Sequence, residues 1–178
     1  LYTSPSGRYR LYRISGLGPP GPSKPFEGRA QVSDRPNIVL ITIEPLRTDH
    51  VGFQTGQRDT TPNLDALASE SVVYDDAHSA TSWTLASHAS IFTGLYPPAH
   101  QAVGPAGALH ESYWTTAEIL RAAGYQTAGV VSGPYLRRTH QLHQGFELYD
   151  ESITGPSQID AHADRTNPAM IEALKHFL

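Results

Sequence analysis

The sequence contains no cysteine. That absence excludes a disulfide framework, a thiolate metal site and a thiol nucleophile, though it leaves the compartment open. No apolar stretch reaches the ~18–20 residues that cross a bilayer, so no transmembrane segment is expected in these residues. A strong charge of either sign is also missing: 13 Lys and Arg stand against 17 Asp and Glu, a net charge of −4. The electrostatic footprint of a nucleic-acid binder is therefore not there. What is there suits a globular α/β protein: 178 residues, 39% hydrophobic and 17% charged, enough for one domain with a core. No internal repeat is visible.

Residues 1–36 carry a disproportionate share of glycine and proline. The stretch GLGPPGPSKP suits neither helix nor central strand, and the segment reads as a tail or linker, with YRLYRI before it as a short strand at most. The character changes at Asn37. NIVLITI, residues 37–43, is nearly all apolar and rich in β-branched residues, the pattern of a parallel strand buried on both faces. A polar loop beginning at Glu44 follows. TPNLDALASES predicts a helix capped by Thr61 with Pro62 in its first turn, and VVYDDA predicts a second strand. TLASHASIFTG predicts a helix stopped by Gly94. TTAEILRAAG predicts another, with Thr115 and Glu118 as a capping box and Gly124 closing it. YQTAGVV reads as a further buried strand, residues 132–160 as mostly loop with GFELYD extended, and a last helix begins near Asn167 and Pro168.

Apolar strands alternating with helices predict a mainly parallel sheet flanked by helices, whose ligands sit at the carboxyl ends of the strands. Two loops at such ends stand out. One begins with Glu44, and the other leads to Thr84. A helix N-terminus at Thr84 favours an anion, and a divalent cation would activate its hydroxyl as a nucleophile. Glu44 would supply one oxygen ligand, which with Thr84 is too few for a hard cation. His88, four residues after Thr84, shares its helical face and could bind an anionic substrate or assist proton transfer. The spacing alone equally admits a plain reading: Thr84 as an N-cap, Glu44 as a solvated loop residue, His88 as a packed surface histidine. The pair His140 and His143 lacks a third convergent ligand and reads as loop histidines rather than zinc ligands. Arg47 is placed to pair with Asp49 and hold the Glu44 loop. Arg137 and Arg138 read as a solvated loop pair, and Trp83 as a pocket wall or a packing residue.

Several segments in order resemble the amino-terminal half of the sulfatase family, in the alkaline-phosphatase-like superfamily. RPNIVLITIEPLRTDHVG is similar to the family's opening strand and metal loop. TTPNLDALASESVVYDDAHS resembles the next helix and strand, and WTLASHASIFTGLYPPAH the nucleophile helix. TAEILRAAGYQTAGVVSGPYL and QGFELYD resemble the following stretch. The resemblance implies an alkaline-phosphatase/sulfatase-like α/β fold over residues 37–178, incomplete at its C-terminal side. With Leu1 in first place and the unstopped PAMIEALKHFL at the end, the expectation is a piece of something longer.

The family motif C/S-x-P-x-R falls on Thr84-Leu85-Ala86-Ser87-His88. Thr84 takes the nucleophile position, Ala86 replaces the proline and His88 the arginine. Threonine is not the precursor of formylglycine, so no formylglycine is expected at Thr84. Related members of the superfamily use threonine directly on phosphate or phosphonate groups. The first metal-binding aspartate falls on Glu44 and the second on Pro45, which has no side-chain ligand. Ser132 and Pro134 stand where the family often has lysine and histidine. The resemblance implies a metal-dependent hydrolase of sulfate, phosphate or phosphonate esters. Catalytic residues would be Thr84 and His88, metal ligands Glu44 and Thr84, and His88 would also bind the anionic ester. The divalent cation would be calcium first, with magnesium or manganese as the other all-oxygen candidates. An Asp-His or Asp-Asn pair that completes the family's metal site is not found in these residues. The alternative is a non-catalytic sulfatase-like binding or regulatory protein, or an inactive fragment. Secretion, a periplasmic location or a membrane anchor is implied by the resemblance alone.

Overall fold

The computed structural model describes residues 2–3, 10–11, 36–55, 59–154 and 166–175. Two strands of two residues, β1 (Tyr2–Thr3) and β2 (Arg10–Leu11), pair antiparallel within the first segment. The short helix α1 (Gly52–Thr55) and helix α2 (Pro62–Ser69) follow the Glu44 loop. Helix α3 (Thr84–Thr93) is followed by the single turn α4 (Pro97–His100) and by α5 (Thr116–Ala122). Strands β3 (Ala128–Val130) and β4 (Leu148–Asp150) form a parallel pair, with Gly129 opposite Tyr149, and α6 (Thr166–Lys175) ends the described residues. A parallel pair needs a long crossover. Here it is built from 3-10 turns at Pro134–Leu136 and Arg138–His140 rather than from an α-helix.

The core lies behind α3. Leu85 and Ala89, one turn apart on its inner face, pack with Ala102, Leu109 and Leu142, all fully buried, and Phe92, Tyr113, Tyr135 and Leu136 close round them. Helix ends follow the local chemistry. Gly94 stops α3 in the left-handed region at φ 70°, where a residue with a Cβ is strained. The Thr115 hydroxyl accepts from the Glu118 amide, and the Glu118 carboxylate accepts from the Thr115 amide at 2.8 Å, the reciprocal box expected of that pair. Thr116 Oγ1 donates to the Phe92 carbonyl at 3.0 Å and so ties the start of α5 to the end of α3. Gly145 carries φ 86°, and a Cβ there would meet the Glu118 amide nitrogen at 2.2 Å, so the crossover can pass this close to α5 only without a side chain.

Three expectations need correction. Residues 37–43 are not a strand, and Ile38, Val39, Leu40, Ile41 and Ile43 stand 53–74% exposed. Val72, Val73 and Tyr74 likewise form no strand and lie exposed. A buried strand exists only where neighbours pair with its edges; among the described residues no strand lies beside either segment. Thr61 precedes α2 as expected, but its hydroxyl does not cap the helix. It accepts from the Gly52 amide at 2.8 Å and donates to Asp65 Oδ1 at 2.9 Å, which joins α1 to α2 instead. The expected tail of residues 1–36 lies mostly outside the described residues.

Candidate active site

The residue that begins α3 is Thr84, and the N-cap is Trp83, which has no side-chain acceptor to offer the first-turn amides. Thr84 is therefore not a cap. Its hydroxyl turns toward the loop after residue 43 and donates to Glu44 Oε1 at 2.7 Å. One turn on, His88 is 5% exposed and directs Nδ1 to the Thr84 carbonyl at 2.9 Å, with Glu44 Oε2 3.8 Å away. Its other nitrogen, Nε2, lies 3.2 Å from Thr42 Oγ1. Residues forty positions apart in sequence are thus joined in one chain of contacts: Glu44, Thr84 and His88, which the sequence had singled out, together with Thr42, which it had not.

The loop carrying Glu44 is braced locally. Arg47 donates to Asp49 through Nε at 2.9 Å and through a second guanidinium nitrogen, the expected ion pair. The Arg47 hydrogen bond holds the Asp49 carboxyl below its ordinary value. The Glu44–Pro45 peptide is cis. On the other side, Trp83 packs its ring on Tyr135 with centroids 4.8 Å apart and remains 38% exposed, so it both packs and borders the open end of α3.

Other candidates serve the scaffold. His140 Nδ1 donates to the Gly107 carbonyl at 2.7 Å, whereas His143 stacks edge-on to Tyr149. Arg138 donates to the Tyr149 carbonyl at 2.9 Å and lies over its ring, and Arg137 donates to the Thr154 carbonyl at 2.6 Å. The loop pair is thus engaged with the β4 end rather than solvated. A buried polar group that the sequence did not flag is His100, 1% exposed, whose Nδ1 accepts from the Ala102 amide and whose Nε2 is left to donate to Ser90 Oγ. Burial holds its pKa below the ordinary histidine value.

The sulfatase family model matches residues 36–173. The chain is 37% identical over 94 residues to an arylsulfatase of Clostridium perfringens, covering 52% of this chain and 20% of that protein. It is 31% identical over 121 residues to arylsulfatase G of Homo sapiens, covering 65% of this chain and 23% of that protein. It is 35% identical over 99 residues to an ulvan-active sulfatase of Formosa agariphila, covering 53% of this chain and 18% of that protein. No solved structure matches the chain. The chain belongs to the sulfatase family, a family of sulfuric ester hydrolases, and the part aligned is about a fifth of the length of these relatives. No helix among the described residues is long and apolar enough to cross a membrane.

Proposed function

We propose that this chain carries the nucleophile half of a metal-dependent ester hydrolase, with Thr84 as the attacking group and Glu44 as its proton acceptor. The observation that carries the reading is the 2.7 Å hydrogen bond from Thr84 Oγ1 to Glu44 Oε1 at the uncapped start of α3. A hydroxyl already donating to a carboxylate has its proton transfer set up before substrate arrives. The helix N-terminus supplies free amides and positive potential toward the ester anion.

On this reading Thr84 Oγ1 attacks sulfur in line as its proton passes to Glu44, the ester S–O bond breaks, and the departing alkoxide takes a proton from water. A second water then cleaves the S–O bond of the sulfated threonine, releasing sulfate and restoring the hydroxyl, and Glu44 returns its proton to solvent. The same steps apply to phosphorus, and a threonine that attacks directly supports phosphate or phosphonate esters beside sulfate. The curated relatives include an N-acetylglucosamine-6-O-sulfatase and an N-acetylgalactosamine-6-O-sulfatase of Bacteroides thetaiotaomicron. Sulfated sugars are therefore the first substrates to try.

A carboxylate and an anionic ester beside the same hydroxyl repel each other, which favours a cation between them. Glu44 and Thr84 fit a hard cation in kind, because both offer oxygen. They fall short of the roughly six oxygens such an ion takes, and no group of three or more His, Asp or Glu converges among the described residues. A bound calcium, magnesium or manganese ion would neutralise charge and ease deprotonation of the threonine hydroxyl. Alanine at position 84 should abolish turnover of 4-nitrophenyl sulfate, phosphate and phosphonate by the full-length protein while leaving its circular dichroism spectrum unchanged. Full turnover by that variant would remove Thr84 from the mechanism. A full-length protein that binds no divalent cation and turns over none of these esters would favour the non-catalytic alternative.

A further inference from the structure

The segment carrying Glu44 runs in the opposite direction to the first turn of α3, where Thr84 and His88 share a helical face. Glu44 meets Thr84, and Thr42 meets His88.

His88 joins the two contacts, and the bonds around it assign its protons. The Thr84 carbonyl 2.9 Å from Nδ1 can only accept, so Nδ1 carries the hydrogen. In the neutral ring Nε2 is then a bare acceptor, and the group facing it is Thr42 Oγ1 at 3.2 Å. With the residue 5% exposed, bulk water has little access to take that place. A buried nitrogen without its partner is penalised, so the Thr42 hydroxyl favours the ring orientation that keeps Nε2 paired.

We infer that Thr42 is a positioning residue of this site. Its hydroxyl donates to His88 Nε2 and holds the ring in this orientation, and the imidazole in turn keeps the Thr84 backbone and the Glu44 carboxylate in register. Thr42 touches no reacting atom. The inference rests on the nucleophile reading above for its consequence in turnover, but the hydrogen bond to Nε2 is measured without any activity.

The test uses full-length protein labelled with 15N-histidine, wild type, Thr42→Val and Thr42→Ser. Spectra are taken at about pH 8, where an ordinary histidine is neutral. Wild type and Thr42→Ser should show His88 with a protonated Nδ1 and an Nε2 resonance shifted by an accepted hydrogen bond; in Thr42→Val that resonance should move to the position of a bare imidazole nitrogen without a partner. Losing an outer partner of this kind lowers activity roughly 10- to 100-fold. The loss in Thr42→Val should fall on kcat, with KM changed by no more than about twofold, and serine should restore it. A protonated Nε2 in wild type overturns the inference by itself, even if Thr42→Val does not fold. So does a Thr42→Val protein that keeps the wild-type Nε2 resonance or the wild-type kcat. If Thr84→Ala retains full turnover while the Nε2 resonance follows Thr42 as stated, the nucleophile reading has failed and the assignment of the Thr42–His88 hydrogen bond stands.

Discussion

Replacing Glu44 with glutamine separates the chemistry of the site from its architecture. Glutamine keeps an oxygen where Glu44 Oε1 accepts from Thr84 Oγ1 at 2.7 Å, and it keeps the length of the side chain. What it loses is charge. The Glu44 side chain is 37% exposed, so exchanging a charge-assisted hydrogen bond for a neutral one should change folding stability by only about 1 kcal/mol or less. The chemical cost is much larger. A neutral amide cannot take the threonine proton, and loss of a positioned base lowers a rate by about 10²–10⁴-fold, or roughly 2.7–5.4 kcal/mol on the barrier. If Glu44 also ligates a cation, affinity for that ion should fall in the same variant. The assays are steady-state hydrolysis of the best ester, urea denaturation, and calorimetric titration with calcium. The expected result is a collapse of kcat at nearly unchanged stability. A glutamine variant within about threefold of wild-type kcat would show that Glu44 is neither base nor ligand, and the reasoning from the 2.7 Å contact would be refuted.

Two further outcomes concern the scaffold behind α3. Leu109 is fully buried in the core cluster, so Leu109→Ala should lower stability by about 2–5 kcal/mol in urea denaturation; a loss under about 1 kcal/mol would mean the cluster does not hold the fold. His100 is buried with its pKa depressed by burial, so the unfolded chain takes up a proton there that the native state resists. Its native environment is therefore fully tolerated above the unfolded value near about pH 6.5, and stability falls as pH drops below it toward the folded value. A His100→Gln variant should show a shallower loss between about pH 7 and pH 5 than wild type, and parallel curves would sink the assignment.

What the sequence shows and what it hides divide along physical lines. The capping box at Thr115 and Glu118 and the stop at Gly94 were legible because each is satisfied within one turn of helix, by groups a few residues apart. The parallel pairing of β3 with β4 was legible in outline, since YQTAGVV and GFELYD both read as extended. The segments at 37–43 and 72–74 misled for the opposite reason. Their composition reports what they are suited to be buried against, whereas a strand comes into being only with a partner at its edge. His100 was hidden because nothing local marks a histidine whose two hydrogen bonds come from the helix before it and the chain after it.

The candidate site sits between these extremes. Thr84 and His88 are four residues apart on one helix, so sequence could place them on a common face, and the family resemblance could bring Glu44 beside them. Thr42 is missed by either route, although its signal was present. It is the polar residue in an otherwise apolar run, and it lies two residues before Glu44, on the side of an extended chain that Glu44 shares. Its apolar neighbours Ile41 and Ile43 stand 74% and 53% exposed, while Thr42 is hydrogen-bonded to a buried imidazole. In a segment without strand partners among the described residues, the contacts to α3 help to fix where Glu44 stands, beside the Arg47–Asp49 pair that braces its loop. The polar residue in that run is therefore best understood as part of the site's geometry, with Thr42 setting the second point of attachment and Glu44 the first.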